Sequence, residues 1–79
     1  MKNVTILGST GTIGLQTLDV IVRHNNDYKV FALSANTNVE KLFEQCVQYK
    51  PKYAVMLSEK AALKLQGMLK SYKSKTQVI

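Results

Sequence analysis

The chain has little that would brace it covalently or anchor it. It carries a single cysteine, Cys46, which excludes an internal disulfide and the stapled scaffolds of small secreted proteins. A reducing, cytoplasmic setting is the expectation. No apolar run approaches the length of a membrane span. The apolar run Val4–Leu7 near the start is broken at once by Gly8-Ser9-Thr10-Gly11, too early for the core of a signal peptide. No solenoid-type repeat and no proline- or serine-rich linker divides the sequence, so 79 residues make at most one small domain. A chain of this size buries only about 60% of its unfolded surface, and its core is marginal.

Acids are scarce as well. The chain has 5 carboxylates against 11 lysines and arginines, a formal charge of +6. Asp19, Asp27, Glu40, Glu44 and Glu59 are scattered over helix faces and turns, without the paired spacing of a metal site. The basic surplus favours phosphate-bearing partners without saying which. The lysines from Lys60 onward spread through a helical pattern and a polar tail, as on a solvated face. Tyr72 alone stands among them for stacking, so no nucleic acid is expected as a partner, and no membrane. His24, the only histidine, lies beside Arg23 near a helix end, where a cation suits the helix dipole.

What the chain does have is alternation. Val4–Leu7 is rich in β-branched residues and reads as a buried strand. From about Thr12, Ile13, Leu18, Ile21 and Val22 recur at helical spacing, up to the polar cluster His24–Asp27. Tyr28–Ala35 reads as a second strand, apolar on both faces. Asn38 can cap a second helix, in which Val39, Leu42, Phe43, Cys46 and Val47 form one apolar stripe. On that stripe Cys46 packs as a small hydrophobe. Pro51 stops the helix. Tyr53–Leu57 is a third strand, and Ser58 caps a third helix that turns Ala61, Ala62, Leu65, Met68 and Leu69 inward. Tyr28, Tyr49 and Tyr53 flank strands as packing residues. Gln77–Ile79 begins a fourth strand. Strands alternating with helices of this length form parallel, right-handed crossover units, and continuous apolar strands fit a sheet covered on both faces. The fold class is α/β: the first half of a Rossmann-like doubly wound parallel sheet, β-α-β-α-β-α-β, truncated at the fourth strand. In such a sheet the fourth strand lies on the far side of the first.

Three of the 4 glycines fall in GSTGTIG, between the first strand and the first helix. Gly8 permits a tight turn, Gly11 lets backbone approach a pyrophosphate, and Gly14 lets the helix pack close on the strand. Thr10 and Thr12 place hydroxyls beside the same helix N-terminus. The spacing is G-x-x-G-x-x-G, not the commoner G-x-G-x-x-G. The second strand ends in Ser34-Ala35-Asn36-Thr37-Asn38, without the acid that binds a ribose 2′-hydroxyl in NAD sites. Amide and hydroxyl donors stand there instead, which favours NADP.

ILGSTGTIGLQTLDVI, then VFALSANTNVEKLFEQC, then PKYAVM resemble the amino-terminal segment of 1-deoxy-D-xylulose 5-phosphate reductoisomerase. The resemblance runs from Lys2 to about Lys64, with the glycine loop, the TLDV helix, the A-x-x-N-V turn, the Gln-Cys pair and the P-x-Y-A-V strand in the family's order. It implies an NADPH-dependent enzyme that, with a divalent metal (Mg or Mn), isomerises and reduces 1-deoxy-D-xylulose 5-phosphate to 2-C-methyl-D-erythritol 4-phosphate in the non-mevalonate isoprenoid pathway. A homodimer is implied for the complete enzyme. The family's glycine-loop contacts fall on Thr10, Gly11, Thr12 and Ile13, and its contacts to the 2′-phosphate end on Asn36, Thr37 and Asn38. Residues 1–79 are then the amino-terminal part of an NADPH-binding Rossmann-like domain. The catalytic residues, metal ligands and carboxy-terminal domains lie outside them, and the chain alone is expected to be inactive.

Two positions depart from the family pattern. Asn36 stands where Gly is frequent, and Asn tolerates a left-handed backbone better than most residues. Thr37 stands where Lys or Arg is frequent, which removes a charge-assisted hydrogen bond; Lys41, one turn on, is placed to compensate. Two readings of the residues stand beside this one. One is another NADP-dependent oxidoreductase with the same loop, such as a semialdehyde dehydrogenase. The other is a stand-alone nucleotide-binding module.

Overall fold

The computed structural model describes residues 2–24 and 26–79, so Asn25 of the polar cluster lies outside the described residues. The elements are β1 (Lys2–Ile6), α1 (Thr12–Arg23), β2 (Tyr28–Ala35), α2 (Val39–Tyr49), β3 (Tyr53–Met56), α3 (Glu59–Tyr72) and β4 (Gln77–Val78). No helix among them is long and apolar enough to cross a membrane.

Each helix buries the face its spacing sets, with one exception. In α1 the buried line is Gly14, Leu18 and Ile21. Ile13 and Val22, apolar residues of the same periodic set, are 78% and 47% exposed. Gly14 takes the inward place one turn before Leu18. Ile13, rotated from it by roughly 100°, stands out at the open end of the helix. In α2 the Asn38 Oδ1 accepts from the Lys41 N–H at 3.1 Å and caps the helix. Val39, Leu42 and Cys46 are buried there and Phe43 packs beside them. α3 is capped by the Ser58 Oγ, which accepts from the Ala61 N–H at 3.3 Å. Its Leu65 and Leu69 are buried.

All strands are parallel, in the order β1-β2-β3-β4. This corrects the expectation that the fourth strand lies beyond the first. β4 instead pairs with β3, where the Gln77 N–H donates to the Lys52 carbonyl at 2.9 Å and the Ile79 N–H to the Ala54 carbonyl at 3.0 Å. The Thr76 hydroxyl donates to the Pro51 carbonyl at 2.7 Å and latches the strand's start. These hydrogen bonds from Thr76, Gln77 and Ile79 to the β3 side of the sheet hold the last strand beside β3. β1 is therefore an edge strand, with no partner on its outer side among the described residues.

Parallel crossovers that all step in one direction, with the right-handed sense general to such units, put the helices on one face. The thin axis of 16 Å accommodates a sheet and one helix layer. The second face, expected to be covered, is covered by no described element. Phe31, Tyr53 and Val55 stand half-buried outside the core cluster, with the Phe31 and Tyr53 rings edge to face at 5.5 Å. The core lies between sheet and helices. In it Leu18, Leu33, Leu42, Leu65 and Leu69 are 2% exposed or less, and burying each such side chain stabilises by roughly 1.5–3 kcal/mol.

Two glycines in helices have opposite environments. A Cβ on Gly14 would stand 2.4 Å from the Gly8 carbonyl oxygen and 2.6 Å from the Ser9 Cα, both backbone atoms. A Cβ on Gly67 would meet nothing within 4 Å. In urea titrations Gly14→Ala should cost roughly 3 kcal/mol or more, because backbone cannot yield as a side chain does. Gly67→Ala should stabilise by roughly 0.5–1 kcal/mol. Burial pushes the Cys46 thiol up to about 11. Iodoacetamide at pH 8 should therefore leave the folded chain unlabelled and alkylate it only in denaturant.

Candidate nucleotide-binding site

The loop from Leu7 to Gly11 joins the end of β1 to α1. Gly8 sits at φ +68°, a left-handed conformation that side chains rarely adopt, and its carbonyl accepts from the Gly11 N–H at 3.0 Å. Ser9 is fully buried. Its N–H donates to the Ser34 carbonyl at 2.8 Å, while the Gly8 N–H donates to the Ser34 Oγ at 3.1 Å. The Ser9 hydroxyl lies 2.7 Å from the Gln45 Oε1 and 3.3 Å from the Ser34 carbonyl. It has one proton, and the nearer oxygen takes it. The Gln45 Nε2 returns a hydrogen bond to the Ser9 carbonyl at 2.8 Å. No buried polar side-chain atom among the described residues lacks a partner.

This clamp aims an open helix end outward. Gly11 is the N-cap of α1 in extended backbone, φ −81° and ψ 173°, with no side-chain cap and no acid in the first turn. α2 and α3 have both: Asn38 with Glu40, and Ser58 with Glu59. In α1 the Leu15 N–H bonds back to Gly11 at 2.9 Å. The N–H groups of Thr12, Ile13 and Gly14, which precede it, have no acceptor within the helix. Thr12 and Ile13 are exposed and Thr10 is half-buried. The positive end of the dipole therefore meets no negative charge of the chain's own. A Cβ on Gly11 would touch only the Gly8 carbonyl, at an ordinary 3.4 Å. Unlike Gly14, Gly11 answers to no packing need inside the chain.

Asn36, Thr37 and Asn38 follow β2 and are all exposed. Their backbone is occupied: the Ser58 N–H donates to the Asn36 carbonyl and the Val39 N–H to the Thr37 carbonyl. The Asn38 side chain spends its oxygen on the α2 cap and keeps its NH₂. Lys41 is half-buried one turn along. The seven residues expected from the sequence thus gather in two groups at the carboxyl ends of neighbouring strands, and Ser34 ties one group to the other. Sequence reasoning missed Ser9, Ser34 and Gln45. The readable signal was a glutamine inside the apolar stripe of α2, between Leu42 and Cys46.

Other polar groups form no second site. Asp19 pairs with Arg23 at 2.9 Å and Glu40 with Lys64 at 3.1 Å, both at the surface, where such pairs contribute little. A hydrogen bond from its own backbone N–H, and then Lys64, hold the Glu40 carboxyl below its ordinary range. No group of three or more acids, histidines or cysteines converges among the described residues, so these residues do not fit a metal. Tyr72 stands edge to face on Phe43 at 5.9 Å, as a packing residue. A cavity of about 740 Å³ opens at the opposite end of the sheet, ringed by Lys29, Lys50, Lys52, Lys73 and Lys75. Lys50 and Lys73 are the C-caps of α2 and α3. A cationic residue at a helix C-cap suits the dipole there. None of the seven residues lines that cavity.

Residues 4–79 match the family model of 1-deoxy-D-xylulose 5-phosphate reductoisomerase. The enzyme of that name from Methylobacillus flagellatus is 60% identical over 79 residues, which are all of this chain and 20% of the relative. The one from Nitrosomonas europaea is 51% identical over 78 residues, 99% of this chain and 19% of the relative. Among solved structures, a DOX-P reductoisomerase in complex with NADPH, fosmidomycin and magnesium superposes with a TM-score of 0.95 at 28% identity. That match covers 100% of this chain and 19% of the other. The Zymomonas mobilis reductoisomerase in complex with NADPH superposes at 0.88 with 36% identity, covering 98% of this chain and 20% of that one. The chain therefore spans about a fifth of the length of the relatives it matches. The glycine loop, its clamp and the parallel sheet that carries them belong to a chain that is a member of the 1-deoxy-D-xylulose 5-phosphate reductoisomerase family.

Proposed function

We propose that residues 1–79 supply the glycine loop and the adenosine-phosphate turn of the NADPH site in a 1-deoxy-D-xylulose 5-phosphate reductoisomerase. The observation that carries this is the first helix end, uncapped and free of acid, held open by a clamped glycine turn. A pyrophosphate there would accept hydrogen bonds from the N–H groups of Thr12 and Ile13, with the Thr10 and Thr12 hydroxyls beside it. Gly11 gives it room. The 2′-phosphate would meet the Asn36 amide, the Thr37 hydroxyl and the Asn38 NH₂, with the Lys41 ammonium one turn on. No carboxylate stands in that turn to repel it.

NADPH so held supplies the hydride that reduces the isomerised substrate to 2-C-methyl-D-erythritol 4-phosphate, a step of the non-mevalonate isoprenoid pathway. This chain's part is to bind and orient. Its carboxylates do not converge, so the divalent metal of the reaction, Mg or Mn, would be held by residues outside the chain, as would the substrate. We place the assembled enzyme in the cytoplasm, where the free thiol of Cys46 would stay reduced, as a homodimer acting on a small sugar phosphate rather than on nucleic acid or a membrane.

Calorimetric titration of the chain with NADPH and NADH tests the reading. NADPH should bind more tightly. Gly11→Ala should leave stability within about 0.5 kcal/mol, as for a substitution that makes no new clash, yet abolish measurable NADPH binding. Thr37→Lys should tighten NADPH roughly 10-fold or more by restoring a charge-assisted hydrogen bond, with NADH unchanged. Equal binding of both nucleotides, or Gly11→Ala binding like the unsubstituted chain, would contradict it.

A further inference from the structure

Ser9 and Gln45 are the buried polar side chains of the described residues, 36 positions apart and joined by two hydrogen bonds. Gln45 occupies an inward position of α2 beside Leu42 and Cys46, where an apolar side chain would avoid the cost of desolvating an amide. Packing alone does not call for it. An amide brings one acceptor and one donor in a fixed fork, and both go to one loop residue: Oε1 to the Ser9 hydroxyl at 2.7 Å, Nε2 to the Ser9 carbonyl at 2.8 Å. Two contacts on one residue, one to its side chain and one to its main chain, set both its distance from α2 and its orientation. Ser9 follows the left-handed Gly8, whose carbonyl holds the Gly11 N–H, so the placement of Ser9 carries into the start of α1. α2 also begins at Asn38. One rigid helix thus carries the residue that fixes the glycine loop and the cap that frames the Asn36–Asn38 turn.

We infer that Gln45 is a positioning residue for the dinucleotide. Through Ser9 it holds the glycine loop in register with the Asn36–Asn38 turn, so that a ligand bearing both a pyrophosphate and a ribose 2′-phosphate meets both groups at once. The inference rests on the nucleotide-binding reading above. Its consequence is a split between ligands. A ligand long enough to bridge the two groups depends on Gln45, and one that reaches the turn alone does not.

The test uses NADPH and adenosine 2′-monophosphate, titrated by calorimetry into the unsubstituted chain and into Gln45→Met, Ser9→Ala and the double variant, well below each melting temperature. Gln45→Met should weaken NADPH roughly 10-fold or more, the scale of a small misplacement in a positioned site. Adenosine 2′-monophosphate should stay within about twofold, the scatter expected at a site that loses no contact. The double variant should bind NADPH no worse than Gln45→Met does, since the two side chains act as one unit. Gln45→Glu keeps the size and one acceptor but loses the donor to the Ser9 carbonyl; it should show the same split, and it stands in if Gln45→Met does not fold. Both ligands weakened alike, or NADPH binding unchanged, would overturn the inference. No binding of either ligand to the unsubstituted chain would instead overturn the nucleotide-binding reading, and this inference with it, before any variant is compared.

Discussion

The close seating of α1 on the Gly8–Ser9 peptide is the constraint from which the rest of the site follows. The space there is so short that a methyl group on Gly14 would overlap backbone. That seating brings Ser9 inside the protein, where its N–H, carbonyl and hydroxyl must find partners or cost stability. Ser34 at the end of β2 and Gln45 in α2 provide them. Packing and hydrogen bonding thereby fix one short loop from three directions. The amide groups left over are those at the mouth of α1, where a ligand can reach them.

Charge is divided in a way that makes chemical sense of a strongly basic chain. Five lysines ring the amino ends of the strands, and two of them, Lys50 and Lys73, cap helix carboxyl termini, where positive charge suits the dipole. The opposite end, where the candidate site lies, relies on backbone N–H groups and neutral side chains, with Lys41 nearby. Net charge by itself points to the lysine-ringed end of the molecule. Partial charges fixed by backbone geometry point to the other, and they suit a phosphate better because they are already oriented and cost little to organise.

Much of this was legible in the sequence, and the failures have physical causes. Helical spacing placed Leu18, Ile21, Leu42, Cys46, Leu65 and Leu69 inside, and the caps Asn38 and Ser58 do cap. Spacing alone does not place Ile13, because a hydrophobic residue in the first turn can lie on the open face when a glycine takes the inward position. The fourth strand was placed by analogy with the whole fold. Its real position is held by hydrogen bonds to the β3 backbone and by the bond from Thr76 to Pro51, neither of which a pattern of apolar residues encodes. The glycine loop was readable because glycine has few other reasons to cluster between a strand and a helix. Its supporting clamp was hidden, since Ser9, Ser34 and Gln45 are distant in sequence and meet only when the sheet forms.

The most direct test of this account is residue-resolved amide chemical-shift mapping of the chain during titration with NADPH. The backbone resonances of Thr10 to Gly14 and of Asn36 to Lys41 should move together and saturate at one dissociation constant. Movement confined instead to Lys29, Lys50, Lys52, Lys73 and Lys75 would mean that bulk positive charge binds the nucleotide. That result would contradict the claim that a clamped glycine loop and an open helix end form the site.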